Sequence, residues 1–236
     1  MEKVDFSSKK LGLNPKAYMG SSAKGYEATE IVYKNVAIDK ILPEIGCTDI
    51  VPTTELETYL ANRADGKQAM DHFLVDSFGT YLSVQTRFRA PKYEGYKDFT
   101  VRYDKPSATA YTGKPVECEF YHFNADLMIY GICDHDLMEK DSSGKNIGAE
   151  KVTDFKCWVV VNLAVFRNLC KNKKIMQQEN LKDDKGKFVD YKVDGDTLIC
   201  AIKSNKGSKD TRFTTISVKK CIEMFPELII AQKNFL

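Results

Sequence analysis

The spacing of apolar positions gives its clearest signal between Met70 and Arg89, MDHFLVDSFGTYLSVQTRFR. Two runs that alternate apolar and polar residues flank Ser77-Phe78-Gly79, and such alternation marks half-buried strands. A three-residue loop ending in glycine predicts an antiparallel hairpin, because glycine takes the left-handed conformation without steric cost. That register sets Asp71 opposite Gln85, with Arg87 diagonally beyond. Alternation gathers Ser83, Gln85, Arg87 and Arg89 on one face and leaves Leu82, Val84, Thr86 and Phe88 for the core face.

Elsewhere the pattern changes period. Ile31, Val32, Val36, Ile38, Ile41 and Leu42 recur at helical spacing after Ser21-Ser22, and Pro43 ends or breaks that helix. Thr53 or Thr54 would cap a second short helix stopped by Gly66. FTVRYD predicts a third strand, VECEFYHFN a short helix, ADLMIYGIC a strongly apolar strand, and CWVVVNL another strand leading into a helix. DHDLMEKDSSGKNIGAEK reads as an exposed loop, and Lys171 to Lys187 as a polar, mobile stretch. A hairpin is expected around Asp194-Gly195, then a strand and a helix in RFTTISVKKCIEMFPELII. Strands and helices alternate without a strict parallel repeat, so the class is α/β with a mixed sheet flanked by helices. No internal repeat is visible. Residues 1–20 read as an arm and 21–236 as a single domain, with a core over about 21–170 and a C-terminal elaboration over about 171–236.

Composition narrows the setting. At 236 residues the chain can bury a substantial core, and 43% hydrophobic with 29% charged residues is ordinary for a globular protein. No apolar run approaches the roughly 18 residues of a membrane span. The start, MEKVDFSSKKLGLN, lacks the apolar stretch of a secretory signal. The seven cysteines form no C-x-x-C pair, and Cys118, Cys133, Cys157 and Cys200 sit in apolar segments. Reduced, buried thiols in the cytoplasm are therefore expected, rather than a disulfide framework or a zinc site. Net charge is +2, but residues 87–105 and 203–220 are locally basic. They read either as phosphate-contacting surfaces, through Arg89, Arg102, Lys206, Lys209 and Arg212, or as solvated loops.

The hairpin resembles the active-site hairpin of the PD-(D/E)XK nuclease superfamily, the restriction-endonuclease-like fold, over roughly residues 20–135. In that family an acid lies at the approach to the first strand and an acid-x-lysine pair follows on the next. Asp71 fits the first position, although Met70 stands where proline is usual. Gln85-Thr86-Arg87 fits the second with glutamine for the acid and arginine for the lysine. The resemblance implies a helix before the hairpin, a third strand, a helix and a fourth strand. It implies a nuclease that hydrolyses DNA phosphodiester bonds with Mg²⁺ or Mn²⁺ held by Asp71 and the carbonyl of Gln85. The ion would activate water and act as a Lewis acid. Arg87 could bind phosphate but cannot act as a base, since its pKa exceeds about 12. Glu30, on the preceding helix, could supply the carboxylate that Gln85 lacks, with Glu27 as the competing candidate.

Other readings stay open. Asp71 and Arg87 could form a cross-strand ion pair with no catalysis, in a nuclease-like module that binds nucleic acid or another protein without cleaving anything. Glu119 and His122 could face the same cleft, Asp126 could flank it, and His135 has acids around it. No phosphate-binding G-x-x-x-x-G-K-[ST] loop, G-x-G-x-x-G or G-x-S-x-G is present. A homodimer is left open.

Overall fold

A computed structural model of the protein describes residues 23–52, 71–105, 116–117, 124–204 and 212–236. Helix α1 (Ala23–Val32) runs on through a π-helical stretch, Tyr33–Ala37, and a last piece, Ile38–Lys40. Pro43 lies in the 3₁₀ turn that follows, Leu42–Ile45, and Gly46 closes it in the left-handed conformation. Strands β1 (Cys47–Pro52), β2 (His72–Asp76) and β3 (Tyr81–Arg89) pair antiparallel in that order. β4 (Asp98–Lys105) and the short β5 (Val116–Glu117) come before β6 (Leu127–Cys133) and β7 (Phe155–Asn162). The second half contributes α2 (Leu163–Lys171), β8 (Ile175–Glu179), β9 (Tyr191–Asp194), β10 (Thr197–Ser204), β11 (Arg212–Ser217), α3 (Val218–Met224) and β12 (Ile229–Lys233). The fold is mixed α/β.

Among the described residues two six-stranded sheets form. The first has the order β1-β2-β3-β6-β7-β12; the second has β5-β4-β11-β10-β8, with β9 also on β10. The first sheet is buried on both faces, and side-chain alternation decides what each face meets. Val84, Phe88, Ile129, Trp158 and Val160 pack with Val32, Tyr33, Val36 and Ile41 from the α1 segment. Met128, Tyr130, Ile132, Val159 and Val161 pack on the other side with Phe99, Leu198 and Ile216 of the second sheet and with Phe166 and Cys221 of α2 and α3. Asn162 caps α2 by accepting from Val165 N, and Ser217 caps α3 by accepting from Lys220 N.

Several expectations need correcting. FTVRYD is a strand, β4, but it joins the second sheet; the third strand beside the hairpin is β1, and the fourth, β6, runs parallel to β3. Val116–Glu117 is extended rather than the start of a helix; Glu119 and His122 lie outside the described residues, as do Thr53, Thr54 and Gly66. The stretch from Lys171 to Lys187 is ordered, because Ile175 is buried and β8 pairs parallel with β10. β12 returns to the first sheet beside β7, and β4 pairs with β11, so each sheet draws on both halves of the chain.

One turn recurs three times. Asp76 Oδ1 accepts from Phe78 N and Thr80 N, Asp141 Oδ1 from Ser143 N and Lys145 N, and Asp183 Oδ1 from Lys185 N and Lys187 N. Each turn places glycine at the same position (Gly79, Gly144 and Gly186) with φ between 78° and 84°. Asp-x-x-Gly is thus a self-contained hairpin closure, since the carboxylate satisfies the amides that the turn exposes.

Candidate active site

The hairpin register is the one its turn dictates. His72 pairs with Val84 and Leu74 with Leu82, and Asp71 N donates to Val84 O at 2.7 Å, which sets Asp71 beside Gln85. Both side chains are buried. Asp71 Oδ2 accepts from Gln85 Nε2 at 2.8 Å, from Thr86 N at 2.6 Å and from Thr86 Oγ1 at 3.0 Å. An ionised carboxylate can only accept, so the Gln85 amide must turn its nitrogen toward it. Arg87, on the same face as Gln85, donates from Nη1 to the Thr100 carbonyl at 2.8 Å and ties the hairpin to β4 of the second sheet.

Glu30 approaches β2 from α1, on the face where Val84 packs and His72 points, opposite to the face that carries Gln85. Its Oε2 lies 3.5 Å from His72 Nε2, and its Oε1 is 3.3 Å from Lys34 Nζ one turn along. Glu27, the competing candidate, is exposed. His72 is the functional candidate that the sequence did not mark. It is fully buried, and its ring stacks on Tyr33 at 3.5 Å between centroids with 15° between planes. Among the described residues neither ring nitrogen has a hydrogen-bond partner. Burial, with the Lys34 charge added, lowers its pKa to about 3, so it is neutral at ordinary pH. The Tyr33 hydroxyl donates to Asp49 Oδ1 at 2.8 Å; burial first and then the Asp49 charge push its pKa well up.

The remaining candidates separate into structural and surface roles. Asp126 Oδ2 accepts from Ser83 N at 2.9 Å and Ser83 Oγ at 2.8 Å, fixing β6 against β3. Arg89 Nη1 donates to the Tyr130 hydroxyl at 3.0 Å, and its guanidinium lies 3.6 Å over the Tyr93 ring. Near it Asp98, another residue the sequence did not single out, is buried. Its carboxyl is raised to about 6, chiefly by burial and against the pull of Arg89 and Lys203. Arg102 is exposed on β4. Arg212 is committed elsewhere: it holds Asp104 with two bonds, 2.7 Å from Nε and 2.5 Å from Nη2, and also pairs with Glu179. A phosphate would have to displace both carboxylates. Lys206 and Lys209 lie outside the described residues. His135 pairs with Glu139 one turn on, in a partly exposed loop.

The donors near the hairpin fit a divalent ion in part. Asp71 offers hard oxygens, and Gln85 would contribute one after a half-turn of its amide, while Glu30 stands against His72. Among the described residues no group of three His, Cys, Asp or Glu side chains is arranged to hold a metal. No helix among the described residues is long and apolar enough to cross a membrane. No protein family, curated protein or solved structure matches the chain.

Proposed function

We propose that the protein is a divalent-metal-dependent nuclease of restriction-endonuclease-like fold, hydrolysing DNA phosphodiester bonds at the start of the β2–β3 hairpin. The observation that carries this reading is the 2.8 Å pairing of Asp71 with Gln85 at the base of a hairpin preceded by a helix. The parallel neighbour β6 supports it as the fourth strand. A bound ion would polarise the phosphate and lower the pKa of a water. Asp71 would anchor the ion, Gln85 would lend its carbonyl, and Arg87 would meet phosphate oxygens.

The test is cleavage of duplex and single-stranded DNA with Mg²⁺ or Mn²⁺ by the wild type, Asp71→Asn and Gln85→Glu. Asp71→Asn keeps an oxygen for Thr86 while removing the charge, so cleavage should disappear from a folded protein. Gln85→Glu sets two carboxylates side by side. It should destabilise the protein in chelator and make its thermal stability depend on Mn²⁺, by about 2.7 kcal/mol at a hundredfold excess over Kd. Undiminished cleavage by Asp71→Asn would remove Asp71 from the site.

A second reading has its own support. The Gln85 amide donates to Asp71, and Arg87 donates to Thr100, so the hairpin polar groups already satisfy one another. A nucleic-acid-binding module without hydrolysis would show DNA affinity that falls steeply with salt, about −0.9 in log K per phosphate contact, and no cleavage with either ion.

A further inference from the structure

At the C-terminal end of β3 a cleft of about 290 Å³ opens between α1, the 3₁₀ turn Pro91–Tyr96 and the loop that carries Asp136. Its walls are mostly apolar, with a small set of polar and aromatic groups: Thr29, Arg89, Lys92, Tyr93 and Asp136. The Arg89 guanidinium lies 3.6 Å over the Tyr93 ring and is bonded to the Tyr130 hydroxyl, which gives a cation backed by an aromatic ring. Lys92 Nζ lies 5.4 Å from the same ring on an exposed side chain. Asp136 holds the facing wall: its Oδ1 accepts from Met138 N at 3.0 Å. That wall is rigid for a steric reason. A Cβ on Gly148 would stand 1.9 Å from the Asp136 carbonyl oxygen, so only glycine lets the two loop segments close, and Gly148 N donates to Glu139 O at 3.1 Å.

We propose that this cleft holds a single unpaired nucleotide whose base carries an amino group on its pairing edge. A guanidinium–tyrosine stack is a platform for a base face, and such stacking contributes about 1–3 kcal/mol per base. Asp136 can only accept, so it favours bases with an exocyclic amino group on the pairing edge, adenine, guanine and cytosine, over uracil, whose single N3–H lies between two carbonyl oxygens that repel a carboxylate. Lys92 supplies the charge for the phosphate. The volume is at the low end of the roughly 300–1,000 Å³ of ligand clefts, which suits one nucleotide and excludes a duplex. Gln85 and Arg89 are four residues apart on one extended strand, about 13 Å at roughly 3.3 Å per residue. The proposal rests on the nucleic-acid reading for its ligand, but not on hydrolysis.

Calorimetric titration of the whole protein with 5′-GMP, 5′-CMP and 5′-UMP tests it. The first two should bind at about millimolar or better, and 5′-UMP at least about tenfold more weakly. Asp136→Asn keeps an acceptor for Met138 N, so the loop holds, yet it should erase the preference for the amino-bearing bases. Lys92→Gln should reduce 5′-GMP binding to that of guanosine. Equal affinity for 5′-UMP and 5′-GMP, an unchanged preference in Asp136→Asn, or no binding of any of the three overturns the proposal. Since free nucleotides are read without cleavage, an inactive hairpin leaves these outcomes decisive. A cleaving protein that fails this test loses the cleft and keeps the hairpin.

Discussion

Asp71→Ala should lower the free energy of unfolding by about 2–4 kcal/mol, because it strands buried donors that now share one carboxylate oxygen. The donors are Gln85 Nε2, Thr86 N and Thr86 Oγ1, and the residues that carry them are buried with Asp71 itself. Urea unfolding at pH 7, compared with Asp71→Asn, checks this. Asparagine offers a carbonyl oxygen to Thr86 and should cost about 1 kcal/mol or less. Equal losses in the two variants would mean that the charge, and not the acceptor, holds the hairpin base. Loss of cleavage in the alanine variant would therefore be ambiguous, and the asparagine variant carries the mechanistic weight.

Acid should destabilise the protein through His72, and His72→Phe should remove that sensitivity. The folded pKa is lowered to about 3 from the usual 6.5. As pH falls through 6.5 the unfolded chain takes up a proton that the folded one refuses until about pH 3. Stability then declines by up to about 1.4 kcal/mol per pH unit across that window. Glu30, Lys34 and Tyr33 from the helical segment and Asp49 from β1 are the titratable groups around this ring. Asp98 acts in the opposite sense. Its folded pKa, raised to about 6, lets the native state gain a proton first as pH falls, so it adds stability between about pH 6 and 3.8. The informative measurement is therefore the difference between wild type and His72→Phe in unfolding free energy at pH 7, 6, 5 and 4. Phenylalanine preserves the stack on Tyr33 and brings no ring nitrogen into the core, so it should be neutral or stabilising at pH 7 and increasingly stabilising below. Parallel pH profiles for the two proteins would exclude His72 as the acid-sensitive group.

What could be read from the sequence was what local chemistry decides. Ser77-Phe78-Gly79 set the hairpin register and so brought Asp71 to Gln85. Continuous apolar runs marked β6 and β7, Asp194-Gly195 marked the β9–β10 turn, and the 3.6 period marked the first helix up to Pro43. Destinations were not legible. FTVRYD has the pattern of a strand wherever it goes, and its partner, β11, lies more than a hundred residues on. β8, IMQQE, buries only Ile175 fully and has no strand-like pattern until β10 is beside it. His72 looked like an ordinary polar position at a strand start. Its environment is assembled from the helical segment, β1 and β3, and no spacing along the chain announces such a meeting. Arg212 read as a phosphate contact because its two carboxylate partners, Asp104 and Glu179, are remote in sequence.

The way the first sheet is joined also bears on how quickly the protein forms. Its strands fall into two antiparallel groups, β1-β2-β3 and β6-β7-β12, and the tight turn between β2 and β3 can close within microseconds. The two groups meet along one parallel seam, β3 against β6, across 43 residues between Ser83 and Asp126. Nothing local offsets the loop-closure entropy of that meeting, so it forms later than the β2–β3 turn, as does the still longer return of β12 to β7. Asp126, gripping both the amide and the hydroxyl of Ser83, is a latch on a late-forming seam as much as a contact in the finished structure.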